Sequence, residues 1–284
     1  MSKAPLKTLL GALVTTSAML FATAMPASAI TGGEPDGNRH PNVALIVFYD
    51  STGRYRCSAT LVSPTVLITA AHCTEGTVGS TLVTFNSVIG LAPPSPLPVA
   101  ANPSAGYTDA EITAAGFLSG TSYTHPNYSG FTDIDNWNDV GVVVLDEPVT
   151  GIAPATLTGL NYLDAFGQPR LNRTIFDVVG YGTEVRKPTE GPQKPTPMSY
   201  PLIRRYTTSP GQKLSPQILQ LNGNPNDDRG GGGTCFGDSG GPVFLNGTLV
   251  AVTSYSYTSN CRYLGGYQRV DIAVVQNWLA TFGL

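Results

Sequence analysis

The sequence predicts an all-β protein, and three observations carry that expectation. Glycine contributes 32 residues and proline 23 of 284, a turn-rich composition that favours strands joined by loops over helices. The apolar residues of residues 43–270 gather in short runs bounded by turn residues, as strands do. Asn246-Gly247 separates two such runs, and that dipeptide is a strong hairpin signal because both positions tolerate φ > 0.

Taken in order, the chain starts with Lys3 and Lys7, continues through a largely apolar stretch from Leu9 to Met25, and reaches Ala27-Ser28-Ala29. A basic start, an apolar centre and a small-x-small site read as a secretory signal peptide over residues 1–29. Thr15-Thr16-Ser17 interrupts the apolar run, which argues against a permanent anchor. No arginine occurs before Arg39, which argues against a twin-arginine signal. Strands are expected at Val43–Tyr49, Cys57–Val62, Val66–Thr69 and Val140–Leu145 in a first half. Phe176–Val179, Val243–Leu245, Leu249–Tyr255 and Gly266–Val270 follow in a second. Asp271–Phe282 reads as one helix capped by Asp271, with Ile272, Val275, Trp278 and Leu279 on a common face. Two proline-rich stretches, Leu91–Pro103 and Lys187–Pro216, read as surface loops, the second leading toward the Gly230–Gly233 run.

The chemistry concentrates in Thr234-Cys235-Phe236-Gly237-Asp238-Ser239-Gly240-Gly241-Pro242. Glycines allow the backbone to take φ > 0 and to approach a substrate closely. A serine on such a turn can present its Oγ beside two backbone N–H groups, the geometry of acyl transfer. That chemistry needs a base, and the chain has three histidines, His40, His72 and His125. His72 follows the apolar run Val66-Leu67-Ile68 within Thr69-Ala70-Ala71-His72-Cys73. A histidine after a buried strand is ordinarily a satisfied core residue; the serine motif makes the catalytic reading the stronger one here. His40 and His125 each precede a proline and read as structural.

The segment from Cys57-Ser58-Ala59 to His72-Cys73, together with Gly237-Asp238-Ser239-Gly240-Gly241-Pro242, resembles the trypsin/chymotrypsin family of serine peptidases. The resemblance covers most of Ile30–Leu284. In that family the orienting aspartate opens a buried strand, and Asp139 stands before Val140-Gly141-Val142-Val143-Val144-Leu145. Asp133 and Asp135 lie in a polar, turn-rich stretch and are expected to be solvated. Gly237-Asp238-Ser239-Gly240-Gly241 also satisfies the loose Gly-x-Ser-x-Gly pattern of α/β-hydrolases, but those run serine, acid, histidine. No histidine follows Ser239, and the order His72, Asp139, Ser239 is the chymotrypsin-like one.

The resemblance implies two packed antiparallel β-barrels with a C-terminal helix: residues 30–150 carrying His72 and Asp139, and residues 151–284 carrying Ser239 and the specificity pocket. It implies an oxyanion hole from the N–H groups of Gly237 and Ser239. Cleavage after Ala29 would leave Ile30-Thr31-Gly32-Gly33, which resembles the family's activated terminus with threonine in place of valine, so signal removal itself is expected to make that terminus with no separate propeptide; the resemblance implies that its ammonium pairs with Asp238. The four cysteines allow three pairings, and the family makes Cys57–Cys73 and Cys235–Cys261. Cysteine ligation of zinc is the competing reading, weakened by the absence of C-x-x-C. Gly233 would stand at the base of the pocket with Ser256 and Gly265 as small walls and Tyr255 where the family usually has tryptophan. No acid is placed there to receive Lys or Arg, so cleavage after apolar or aromatic residues is expected.

Removing residues 1–29 takes away two lysines and no acids, so the net charge moves from −3 to −5. Nothing in that balance points to nucleic acid or an anionic membrane. The 255 residues left suffice for one sizeable core or two small ones. No cofactor or metal is implied, and residues 76–108 hold no carboxylate for a trypsin-type calcium loop. The expectation is therefore a secreted, extracellular, monomeric serine endopeptidase acting on protein or peptide substrates. A catalytically silent binding protein with the same cleft is the alternative. Asn127, Asn172 and Asn246 head N-x-S/T sequons.

Overall fold

The computed structural model describes residues 30–185 and 198–284. The signal-peptide reading of residues 1–29 and the beginning of the second proline-rich stretch lie outside them.

Six strands build the first barrel: β1 (Val43–Tyr49), β2 (Arg54–Ser63), β3 (Val66–Thr69), β4 (Val78–Thr84), β5 (Leu118–Thr124) and β6 (Gly141–Leu145). They pair antiparallel in the order β1-β2-β3-β6-β5-β4 and close from β4 back to β1. Six more build the second: β7 (Ile175–Gly180), β8 (Arg205–Leu214), β9 (Ile218–Asn222), β10 (Pro242–Leu245), β11 (Thr248–Ser256) and β12 (Leu264–Arg269). Their order is β8-β7-β10-β11-β12-β9, closed by β9 on β8. The Asn246-Gly247 hairpin joins β10 to β11 as expected, with both residues at positive φ.

Period-two alternation explains how the barrels meet. Every residue of β1 is buried. Ala44, Ile46 and Phe48 pack with residues of the first barrel alone. Val43, Leu45, Val47 and Tyr49 join a core that also holds Val179, Tyr181, Phe244 and Val252 of the second half. A third core, with Phe176, Leu219, Val243 and Val250, fills the second barrel. Residues 30–35 cross to the second barrel: Thr31 bridges Gly233, and Glu34–Pro35 pairs with β8.

Two expectations are corrected. The C-terminal helix spans Ala273–Leu279, continued by a 3-10 turn to Phe282, and its N-cap is Ile272 with no side-chain cap. Asp271 is occupied elsewhere, paired with Arg269 and accepting the Leu163 N–H. The Lys187–Pro216 stretch is not simply a loop, because it contains the ten-residue strand β8. Pro210 stands opposite Ile175 at one end of the β7 pairing, and the register shifts between Gly211 and Lys213. A proline and a bulge are compatible with a strand at such a margin, although they hide it in the sequence.

Candidate active site

His72 lies on a one-turn 3-10 helix, Ala71–Cys73, directly after β3. A disulfide from Cys73 to Cys57 of β2 anchors that turn from below. Its backbone N–H donates to Asp139 Oδ1 at 2.9 Å, and its ring Nδ1 lies 2.9 Å from Oδ2 and 3.2 Å from Oδ1. The imidazole is thus held at two points by one carboxylate.

Asp139 precedes β6, and the pairing of β6 with β3 brings it beneath His72. It is fully buried. Besides His72 it receives the Ser254 hydroxyl at 2.6 Å, and its own N–H donates to Gln268 Oε1 at 3.0 Å. Ser254 in turn accepts the Trp137 indole N–H at 2.9 Å. Ser254 on β11 and Gln268 on β12 escaped the sequence reading; Ser254 stands next to Tyr255, but no local motif marks either. Asp133 and Asp135 are exposed in a 3-10 turn, where the Asn136 side chain and backbone N–H groups hold the Asp133 carboxyl below its usual value. His40 pairs with Asp36 at 2.5 Å and stacks on Phe244, and His125 is buried against Trp278.

The serine loop is shaped by close approaches. Gly237 has φ +94° and Gly240 +73°, and a Cβ on Gly240 would lie 2.0 Å from Thr69 Oγ1. Ser58 of β2 clamps the loop from the first barrel. Its N–H donates to Ser239 O at 2.8 Å and its hydroxyl to Gly237 O at 3.0 Å. Among the described residues the Gly237 and Ser239 N–H groups have no protein acceptor. A second disulfide, Cys235–Cys261, ties the loop to the segment after β11.

Asp238 is fully buried and accepts the Gly182 and Cys235 N–H groups at 2.7 and 2.8 Å. Burial pushes its pKa up to about 7, against the pull of those two donors and of Arg56. The Ile30 side chain is also fully buried, with backbone φ +57°. The Gly230–Gly233 run explains how residues 31–32 reach their place. A Cβ on Gly232 would stand 1.7 Å from Thr31 O, and one on Gly32 would stand 1.8 Å from Gly231 O. Only glycines leave that slot open.

Two cavities meet at His72 and Ser239. One, of about 440 Å³, is walled by Phe131, Phe236, Tyr255 and Ser256, and no Asp, Glu, Lys or Arg is among its lining residues. An aromatic row runs beside it, from His72 to Phe131, Trp137, Tyr255 and Tyr257, with successive centroids 5.2–5.4 Å apart. Ser256 lines this cavity, whereas Gly265 sits behind it against the Tyr267 ring and Gly233 against Gly223. Asp227 is turned to Arg229 at 2.9 Å. The other cavity, of about 600 Å³, extends past Gly237 to Arg54, Tyr55, Arg56 and Tyr200. Cys57, His72 and Cys73 also converge within 4.8 Å, but the two sulfurs are bonded to each other.

Two closed antiparallel barrels with this cleft between them are the architecture of the chymotrypsin-like serine peptidases. A model of the trypsin domain matches residues 30–279, and the chain belongs to the trypsin family of serine proteases. It is 31% identical to a trypsin of Saccharopolyspora erythraea, over 80% of this chain and 86% of that one. It is 27% identical to brachyurin of Leptuca pugilator, over 89% of this chain and 97% of that one. The solved structure of HL collagenase shares the fold, with a TM-score of 0.59 at 20% identity over 90% of this chain and 99% of that one.

Proposed function

We propose that the protein is a secreted serine endopeptidase that opens peptide bonds through an acyl-enzyme on Ser239. The observation that carries this reading is the two-point hold of Asp139 on His72, which fixes the ring at the edge of the cleft that Ser239 shares. Asp139 keeps the proton on Nδ1, which leaves Nε2 to accept the Ser239 proton as Oγ attacks the scissile carbonyl. The Gly237 and Ser239 N–H groups receive the developing oxyanion. His72 then protonates the departing amine, and water drawn through the same base releases the acyl group. The aromatic, uncharged cavity beside Ser239 supports cleavage after apolar or aromatic residues.

Cleavage after Ala29 frees an ammonium at Ile30, and that ammonium pairs with Asp238. A buried carboxyl that, among the described residues, has backbone donors and the field of Arg56 but no ion-pair partner supports this assignment, because pairing removes the cost of an isolated buried charge. Residues 30–150 and 151–284 then act as two halves of one monomeric, extracellular enzyme.

The test is fluorophosphonate labelling of secreted protein beside a Ser239→Ala control, with the labelled peptide mapped by mass spectrometry and the N-terminus sequenced. Stoichiometric label on Ser239 in protein starting at Ile30 is expected. Absence of label on folded protein with that terminus would instead mark a silent binding module. Faster turnover of Arg than of Phe or Leu substrates would overturn the assigned preference.

A further inference from the structure

Arginines buried elsewhere in this protein are matched by carboxylates: Arg204 by Asp36, Arg205 by Glu184, Arg269 by Asp271 and Asp164. Arg56 is not. It lies on β2 two residues before Ser58, half-buried, and its Nε is 3.1 Å from where a Cβ on Gly237 would stand. Among the described residues its side chain makes no hydrogen bond or ion pair. Burial lowers its pKa, while the Asp238 carboxylate behind Gly237 and the Tyr200 hydroxyl pull the other way. Arg54, two residues back and on the same face of the strand, has no carboxylate partner among the described residues and stands 5.9 Å from the Tyr107 ring centroid.

The placement of this pair gives it a role. With the acyl side of a substrate in the aromatic cavity, its leaving-group side must run past Ser239 into the cavity that holds Arg54, Tyr55, Arg56 and Tyr200. The same four residues line a further cavity of about 330 Å³ under the Gly90–Leu97 segment, so the path continues beyond them. Among the described residues the anion lining this cavity is Asp50, whose Oδ1 is taken up by the Thr52 hydroxyl and the Thr52 and Gly53 N–H groups. A half-buried guanidinium without a partner is a cost in the free protein and a strong, charge-assisted donor to an arriving carboxylate.

We propose that Arg56, supported by Arg54, is a specificity-determining residue that selects substrates carrying an aspartate or glutamate just after the scissile bond. At about 3.3 Å per extended residue, the first three leaving-group positions span the reach. The proposal rests on the endopeptidase reading, and its test is arranged so that the two can fail separately.

Internally quenched peptides with C-terminal amides and a constant acyl side would carry Glu, Gln or Lys singly at each of those three positions. Glu is expected to exceed Gln in kcat/KM by about tenfold at one position, with Lys below Gln, since a hydrogen bond to a charged group is worth that much. In Arg56→Gln the Glu-to-Gln ratio is expected to fall to about one; Arg56→Lys should keep a ratio above one, and added salt should shrink it. Ratios within each variant are insensitive to a general loss of activity. Equal rates for Glu and Gln at all three positions, or a ratio unmoved in Arg56→Gln, would overturn the proposal. If Ser239 proves unreactive, the same amidated peptides titrated onto Ser239→Ala protein decide it, with tighter binding of the Glu peptide expected and equal binding overturning it.

Discussion

The enclosed carboxylate of Asp139 is held by what surrounds it, and Ser254 is the neighbour whose loss separates positioning from bulk stability. Its hydroxyl donates to Asp139 and accepts from Trp137. Ser254→Ala removes one donor to the carboxylate and leaves a buried indole N–H unmatched, so stability should fall by about 1–2 kcal/mol. Because the His72 ring loses part of its support, kcat/KM should fall about tenfold with KM little changed; a loss confined to KM would mean that Ser254 merely shapes the pocket. Asp238 offers a pH test on the same scale. Burial raises its pKa from 3.8 to about 7 in the chain whose residue 30 is still peptide-bonded. Between those values the folded chain holds a proton that the unfolded chain has released, so stability falls as pH rises from about 4 to about 7. An Ile30 ammonium stabilises the ionised form and removes that fall. Urea titrations at pH 4.5 and 7.5 should therefore show a loss of a few kcal/mol in a chain extended at Ala29 and little in one starting at Ile30. The same pH dependence in both would sink the pairing.

At the scale of elements, the glycine run before the nucleophile loop is an entry slot for residues 30–32. Gly232→Ala places a methyl group 1.7 Å from Thr31 O, which backbone alone cannot relieve. The barrels should still fold, by near-UV circular dichroism, while the rate of fluorophosphonate labelling drops at least tenfold if the proposed Ile30–Asp238 pair orders the oxyanion hole. An unchanged rate would disconnect the slot from the oxyanion hole. That slot was visible in the sequence only as an odd run of glycines, and its meaning depended on a segment some 200 positions away. Strands rich in Val, Leu and Ile, such as β1, β3 and β6, were legible because their burial is written in their composition. Leu118–Thr124, with two threonines and two serines, and Arg205–Leu214, with Pro210 and Gly211, were not. Barrel closure makes them strands. The site divides in the same way. His72, Asp139 and Ser239 sit in local motifs, whereas Ser254 and Gln268, which bond Asp139, and Arg56, which lines the cleft, are placed by strand geometry with no local motif of their own.

At the scale of the whole molecule, the cleft exists only while the two barrels keep their relation, and Arg204 is a main tie between them. It is 1% exposed. Its Nε donates to Asp36 at 2.8 Å, its Nη1 to the carbonyls of Val43 and Phe85 at 2.9 Å each, and its Nη2 to Gly37 O at 3.0 Å. One side chain thus binds the strand β1, the loop after β4 and the segment that follows the N-terminal slot. Asp36 is its counter-charge: burial raises the Asp36 pKa, but the bonds from His40 and Arg204 outweigh it and bring it to about 2. The unfolded chain binds that proton near 3.8, so this stability is present above about pH 4 and is lost as pH falls toward 2. Arg204→Met keeps the length of the side chain and removes every donor. It should cost about 3–5 kcal/mol at neutral pH, since it takes the guanidinium from a buried carboxylate that keeps only His40 and removes the donor to three carbonyls. Asp36→Asn with Arg204→Met should recover part of that loss, because the uncompensated charge is gone. The double-mutant cycle, read by urea denaturation at pH 7 and pH 3, checks both statements. Strict additivity, or a cost below about 1 kcal/mol for Arg204→Met, would mean that the barrels are held by their apolar seam alone, and the cleft should then survive the loss of Arg204 with its labelling rate intact.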